Sequence, residues 1–168
     1  MTDEEIYLLR EADAKLTEEE KLANAIRLGF DGDTARFKEF VDVLTVAVPE
    51  KTAAVLGGSS VTGHNYKTGE PFDAKGPMTS DLDITLVGNE VIGLFTLEGF
   101  WVPGVHSHPV KDGDEEIAPK LKPLRRKLQE IARGRPVTIQ ATRDFYIWVR
   151  EHWLGQPYLT LVGKVDDR

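Results

Sequence analysis

The chain contains no cysteine. Disulfides, thiolate metal sites and a cysteine nucleophile are therefore excluded together. No apolar run approaches the ~20 residues that a membrane-crossing helix requires. The opening stretch MTDEEIYLLREADAKLTEEE has neither a basic segment nor an apolar one, so it does not read as a signal peptide. These absences point to a cytoplasmic protein without a membrane partner.

Positive charge is scarce in one place only. Residues 1–50 carry 13 acids against 6 Lys/Arg, whereas residues 51–168 carry 15 of each. The whole formal charge of −7 thus belongs to the N-terminal segment. Such a balance argues against broad, non-specific DNA binding. At 168 residues, 40% hydrophobic and 29% charged, the chain has the length and composition of one globular domain.

Periodicity predicts helices first and strands later. Ile6, Leu9, Leu16, Leu22 and Ile26 recur at helical spacing, and Thr17 to Glu20 has the form of a capping box that starts a second helix. A third helix starts at Asp33 or Thr34, buries Phe37, Phe40, Val41, Leu44 and Val48, and stops at Pro49. TAAVLGG then reads as a buried strand, 61–79 as a loop, and LDITLV as an alternating strand. Residues 89–118 offer a short helix near Val91 to Leu97 and then a polar loop. A helix over Lys120 to Arg133 with Leu121, Leu124, Leu128 and Ile131 inward ends at Gly134. PVTIQA is a strand, a helix starts at Thr142 or Asp144, and YLTLVG is the last strand. The expected class is α+β, α/β-like, with a small mixed sheet of about four to five strands flanked by helices. Residues 1–50 form an acidic helical extension packed on a core of 51–168.

Two short stretches carry chemistry. In LGGSS, Gly57 and Gly58 let a backbone approach a ligand closely, while Ser59 and Ser60 add hydroxyl donors suited to a phosphate. In SDLD, Asp81 and Asp83 project from one side of a strand. Two carboxylates so placed repel each other unless a divalent cation lies between them. Phosphoryl chemistry uses such a cation to neutralise developing charge.

Strand, Gly-Ser turn, variable loop and Ser-Asp-Leu-Asp in this order resemble the DNA polymerase β-type nucleotidyltransferase superfamily. GSSVTGHNYKTGEPFDAKGPMTSDLDI, with GRPV later, is similar to nucleotidyltransferase-like domains at the ends of bacterial polymorphic toxins. The resemblance spans roughly residues 52–162 and implies a nucleotidyltransferase fold. It implies nucleotide binding by Gly58, Ser59, Ser60 and Ser80, and Mg²⁺ or Mn²⁺ on Asp81 and Asp83. It also implies transfer of a nucleotidyl group from an NTP, ATP foremost, to a hydroxyl on a protein, a tRNA end or a small molecule. The superfamily commonly adds a third carboxylate from a later strand. PVTIQA has none, and Thr138 or Gln140 occupies that face, leaving Asp144 or Glu98 as substitutes. A degenerate binding module of toxin, antitoxin or regulatory type is the alternative. A sugar-nucleotide transferase fits less well, since it needs a larger sheet.

Other residues admit two readings each. Lys67 and Lys75 either neutralise a triphosphate or belong to a solvated loop, with Lys67 favoured by its place in KTG. His64 either reaches a phosphate or is structural. His106 and His108 read as exposed loop histidines within reach of substrate or metal. The seven basic residues from Lys120 to Arg135 are a solvated helix face or a surface for triphosphate or RNA. Trp101, Trp148 and Trp153 read as packing residues. Trp101, in a Gly/Pro-rich loop, is the one suited to stack on a base.

Overall fold

The computed structural model describes residues 1–166. Helix α1 (Asp3–Asp13) and helix α2 (Glu18–Asn24) each begin with a complete capping box, from Thr2 to Glu5 and from Thr17 to Glu20. The reciprocal bonds satisfy donors that a helix start otherwise leaves open. A π-helical turn (Ala25–Gly29) ends α2, and Asp33 caps α3 (Thr34–Ala47).

Among the described residues six strands follow: β1 (Ala53–Gly57), β2 (Leu82–Val87), β3 (Phe100–Val102), β4 (His106–Ser107), β5 (Val137–Thr142) and β6 (Leu159–Val162). Short helix α4 (Ser59–Thr62) follows β1 and α5 (Asn89–Ile92) follows β2. Helix α6 (Lys122–Ile131) precedes β5, and α7 (Phe145–Ile147) runs into a π-helical turn over Trp148–His152. The sheet order is β3-β4-β5-β2-β1-β6. β2 and β5 run parallel, and the other neighbouring pairs run antiparallel. The protein is thus α+β, with a mixed sheet flanked by helices.

The strand count exceeds the expected four to five because two short strands lie in the stretch read as a loop. β3 and β4 span three and two residues, too few for alternation to register. The helix expected near Val91 to Leu97 is likewise split into α5 and a 3₁₀ turn at Leu97–Gly99.

Alternation gives the sheet two different faces. Leu82, Ile84 and Leu86 of β2, with Val137, Ile139 and Ala141 of β5, enter the main core beside Leu128 and Ile131 of α6. Ala25, Phe30, Phe40 and Leu44 from residues 1–50 belong to the same core, so the N-terminal segment helps to form it. On the other face Val55, Phe145 and Trp148 make a smaller cluster. Asp83, Thr85, Thr138 and Gln140 share that second face, which carries the chemistry.

Candidate functional site

In the β1–β2 ladder Gly57 lies opposite Asp83, and in the β2–β5 ladder Asp83 lies opposite Thr138. Past β1 the chain turns at Gly58, whose φ is 80°. A β-carbon there would come within 2.5 Å of Asp83 Oδ2. Glycine is therefore required both by the backbone conformation and by the close approach of a carboxylate. Gly57 answers a different need: a β-carbon would meet Trp153 Cη2 at 2.5 Å, so it makes room for the indole.

Thr138 Oγ1 donates to Asp83 Oδ1 at 2.7 Å. The Asp81 carboxylate is near enough to share a proton with Asp83. Burial, and secondarily the charge of Asp81, push the Asp83 carboxyl up to about 7, against the opposing hydrogen bond from Thr138. The folded protein thus holds this proton more tightly than the unfolded chain does. As pH rises from about 4 to about 7 the group costs stability, and above about 7 the full cost is present. Asp83→Asn keeps the acceptor for Thr138 and removes the charge. It is expected to stabilise the ligand-free protein at pH 8 by roughly 1–3 kcal/mol, allowing for partial solvent screening. Thermal denaturation across pH 4–8 checks this, and the gain should shrink steadily toward the acid end.

A cleft of about 280 Å³ opens over Ser59, Ser80 and Asp81, with Asn65, Glu70 and Lys75 around it. Its outer wall is the motif loop, which is pinned from two sides. Buried Arg135 donates to Asp73 Oδ1 and Oδ2 at 2.8 and 3.0 Å and to the Ser80 carbonyl at 2.8 Å. Its guanidinium also lies 4.6 Å from the Phe72 ring centre. Asp73 and Ser80 exchange two further bonds, Ser80 N–H to Oδ1 at 2.9 Å and Asp73 N–H to Ser80 Oγ at 2.8 Å. Hydrogen bonds from Arg135, followed by those of Ser80 and Met78 backbone N–H groups, hold the Asp73 carboxyl below its usual range. From the N-terminal side Arg10 donates to the Tyr66 carbonyl at 3.1 and 2.9 Å, and His64 Nε2 meets Asp13 Oδ2 at 2.8 Å.

Gly58, Ser59, Ser80, Asp81 and Asp83 are therefore brought together, with Ser80 Oγ occupied by Asp73. Ser60 is fully buried and does not line the cleft. His64 has a structural partner in Asp13, which accounts for it without a phosphate. Lys67 is exposed on the loop, and Lys75 is the lysine at the cleft. Asp144 caps α7, accepting from Ile147 N–H at 3.1 Å, at the opposite end of β5 from Thr138. Glu98 lines a separate cleft with Trp101, His108 and Lys111. The β5 position facing Asp83 belongs to Thr138 instead.

His106 is not an exposed loop residue. It is 3% exposed on β4, with Nδ1 2.5 Å from Thr142 Oγ1. Burial, then the neighbouring His152, lowers its pKa. His108 packs beside Trp101 at 5.2 Å between ring centres. Trp148 is buried, while Trp101 is 56% exposed, in keeping with a surface for stacking. Nor is the basic helix uniformly solvated. Arg125 and Arg135 are buried, and Arg125 binds Asp112 Oδ1 at 2.5 Å and the Val137 carbonyl at 3.1 Å.

A groove of about 960 Å³ lies elsewhere, between α3 and α6 against Val43, Val46, Leu121 and Leu124. It contains no part of the aspartate pair. Among the described residues no group of three or more His, Cys, Asp or Glu side chains is arranged to hold a metal ion. The donor set at Asp81 and Asp83 is nonetheless all oxygen, the preference of Mg²⁺, which commonly binds one or two protein carboxylates and keeps several waters. Among the described residues no helix is long and apolar enough to cross a membrane. No protein-family model, curated protein or solved structure matches the chain.

Proposed function

We propose that the chain is a nucleotidyltransferase-fold enzyme that uses Mg²⁺ or Mn²⁺ and an NTP, ATP foremost. The observation that carries this reading is the pair Asp81 and Asp83, with the Asp83 carboxylate seated against Gly58 and its ionisation disfavoured until a cation arrives. Asp81 and Asp83 would hold the cation, which when bound supplies charge neutralisation for the phosphates. Gly58 and Ser59 present backbone and hydroxyl groups beside them, and Lys75 offers a positive charge across the cleft.

In the reaction an acceptor hydroxyl oxygen bonds to the α-phosphorus. The α–β P–O bond breaks, pyrophosphate leaves with that electron pair, and the hydroxyl proton passes to water. The acceptor is a protein side chain, a tRNA end or a small molecule. Incubation with α-³²P-labelled NTP, Mn²⁺ and cell extract is expected to label an acceptor. Asp81→Asn and Asp83→Asn should each reduce labelling at least ~100-fold, in the range seen when a transition-state charge stabiliser is lost. Undiminished labelling in both variants would sink the assignment.

One observation favours a second reading. Thr138, a neutral residue, stands across from Asp83 on the strand where a third carboxylate would be expected. A binding module that retains nucleotide and cation but transfers nothing accommodates this. Calorimetric binding of Mn²⁺·ATP without any labelled acceptor is its expected signature.

A further inference from the structure

The polar face of the sheet shows what accompanies Thr138. From β4 the chain runs antiparallel to β5, with His106 opposite Thr142 and Val110 bridged to Ile139. Two backbone bonds fix that bridge, Val110 N–H to Ile139 O at 2.7 Å and Ile139 N–H to Val110 O at 3.3 Å. The next residue, Lys111, consequently comes level with Thr138, one strand away from Asp83. Its charge reaches the Asp83 carboxylate. Lys111 is exposed, and among the described residues its ammonium group has no ion pair or hydrogen bond. The neighbouring cations differ: Arg125 and Arg126 are both engaged by Asp112 or Glu115.

Lys111 also lines the second cleft, about 350 Å³, together with Glu98, Trp101 and His108. It therefore stands at a border, with the aspartate pair on one side and an exposed indole on the other. A site with three carboxylates has enough negative charge for two divalent cations. Here there are two carboxylates, a neutral threonine and a nearby ammonium, a balance that suits a single divalent cation.

We infer that the site takes one divalent cation, on Asp81 and Asp83, and that Lys111 binds the polyphosphate in place of a second metal ion. This rests on the nucleotide reading of the aspartate pair. A compact ammonium on a flexible stem is a suitable phosphate partner and adds no coordination demand. It neutralises the negative charge of the polyphosphate while leaving the aspartate pair to a single cation.

Mn²⁺ titration followed by the electron paramagnetic resonance of free Mn²⁺ at pH 8 tests this, with and without α,β-methylene-ATP. The wild-type chain is expected to take up one Mn²⁺. Lys111→Met should bind Mn²⁺ alone as tightly or up to several-fold more tightly, because a like charge has gone. Its affinity for the Mn²⁺·nucleotide complex should fall at least tenfold, and Lys111→Arg should recover most of that loss. A merely structural lysine would not weaken nucleotide binding while leaving the affinity for Mn²⁺ alone intact. Uptake of two Mn²⁺ by the wild type, or undiminished nucleotide binding by Lys111→Met, overturns the inference alone. No Mn²⁺ uptake by the wild type overturns the reading of Asp81 and Asp83 as well.

Discussion

Asp73→Ala is expected to destabilise the protein by about 3–5 kcal/mol, the range for removing one partner of a buried ion pair. The large effect falls on this partner because of what is left behind. Arg135 is 2% exposed, and without Asp73 its guanidinium keeps the Ser80 carbonyl but has no counter-charge. Removing Arg135 instead leaves Asp73, whose side chain is 24% exposed and can draw on water. Arg135→Ala should accordingly cost less than Asp73→Ala, an order opposite to that expected from side-chain size. Asp73 also has a φ of 59°, a conformation that Asn accepts more readily than Ala. Asp73→Asn should therefore fall between wild type and Asp73→Ala. Urea denaturation of the three variants at pH 7 ranks them. The Asp73 contribution is also pH-dependent: it is complete above the usual carboxylate range and is lost as pH falls below about 4.

Gly58→Ala should cost about 2–4 kcal/mol and abolish Mn²⁺ binding as well. Two causes add. The backbone at φ 80° and ψ −160° lies where a β-carbon is strained, a penalty of about 1–3 kcal/mol. The new carbon would also press on Asp83 Oδ2, so the carboxylate must move away from Asp81 and Thr138. A double-mutant cycle with Asp83→Ala separates them. Once the carboxylate is gone only the backbone strain remains, so Gly58→Ala should cost distinctly less in that background. An equal cost in both backgrounds would show that the approach of Asp83 is not what demands glycine here.

What the sequence made legible follows from the range of each signal. LDITLV matches β2 to the residue because alternation is local. The capping box at Thr17 and the start of α3 at Asp33 or Thr34 were readable for the same reason. The candidate site was readable as two clusters, LGGSS and SDLD, that the β1–β2 register then joined. Gly57 illustrates the limit of such reading, since the pressure on it comes from Trp153, almost a hundred residues away. Asp73 and Arg135 had no signature, because an ion pair across 62 residues leaves no periodic trace. Lys111 was hidden for a related reason: a bridge one residue long decides its level on the sheet. Strands as short as β3 and β4 exist through neighbours rather than through their own propensity, and so His106 looked like a loop residue.

The parallel pairing of β2 with β5 also has a consequence in time. Asp83 and Thr138 are 55 residues apart, and the hydrogen bond between them joins β2 to β5 beside the aspartate pair. Contacts of that separation are entropically expensive and form slowly compared with helices or hairpins. A chain emerging from the ribosome can therefore assemble α1 to α3 and the β1–β2 pair while Asp83 still lacks its hydrogen bond from Thr138. Whatever this cleft binds, it is absent as a site until β5 has been synthesised and docked, so a truncated nascent chain would carry the motif without the function.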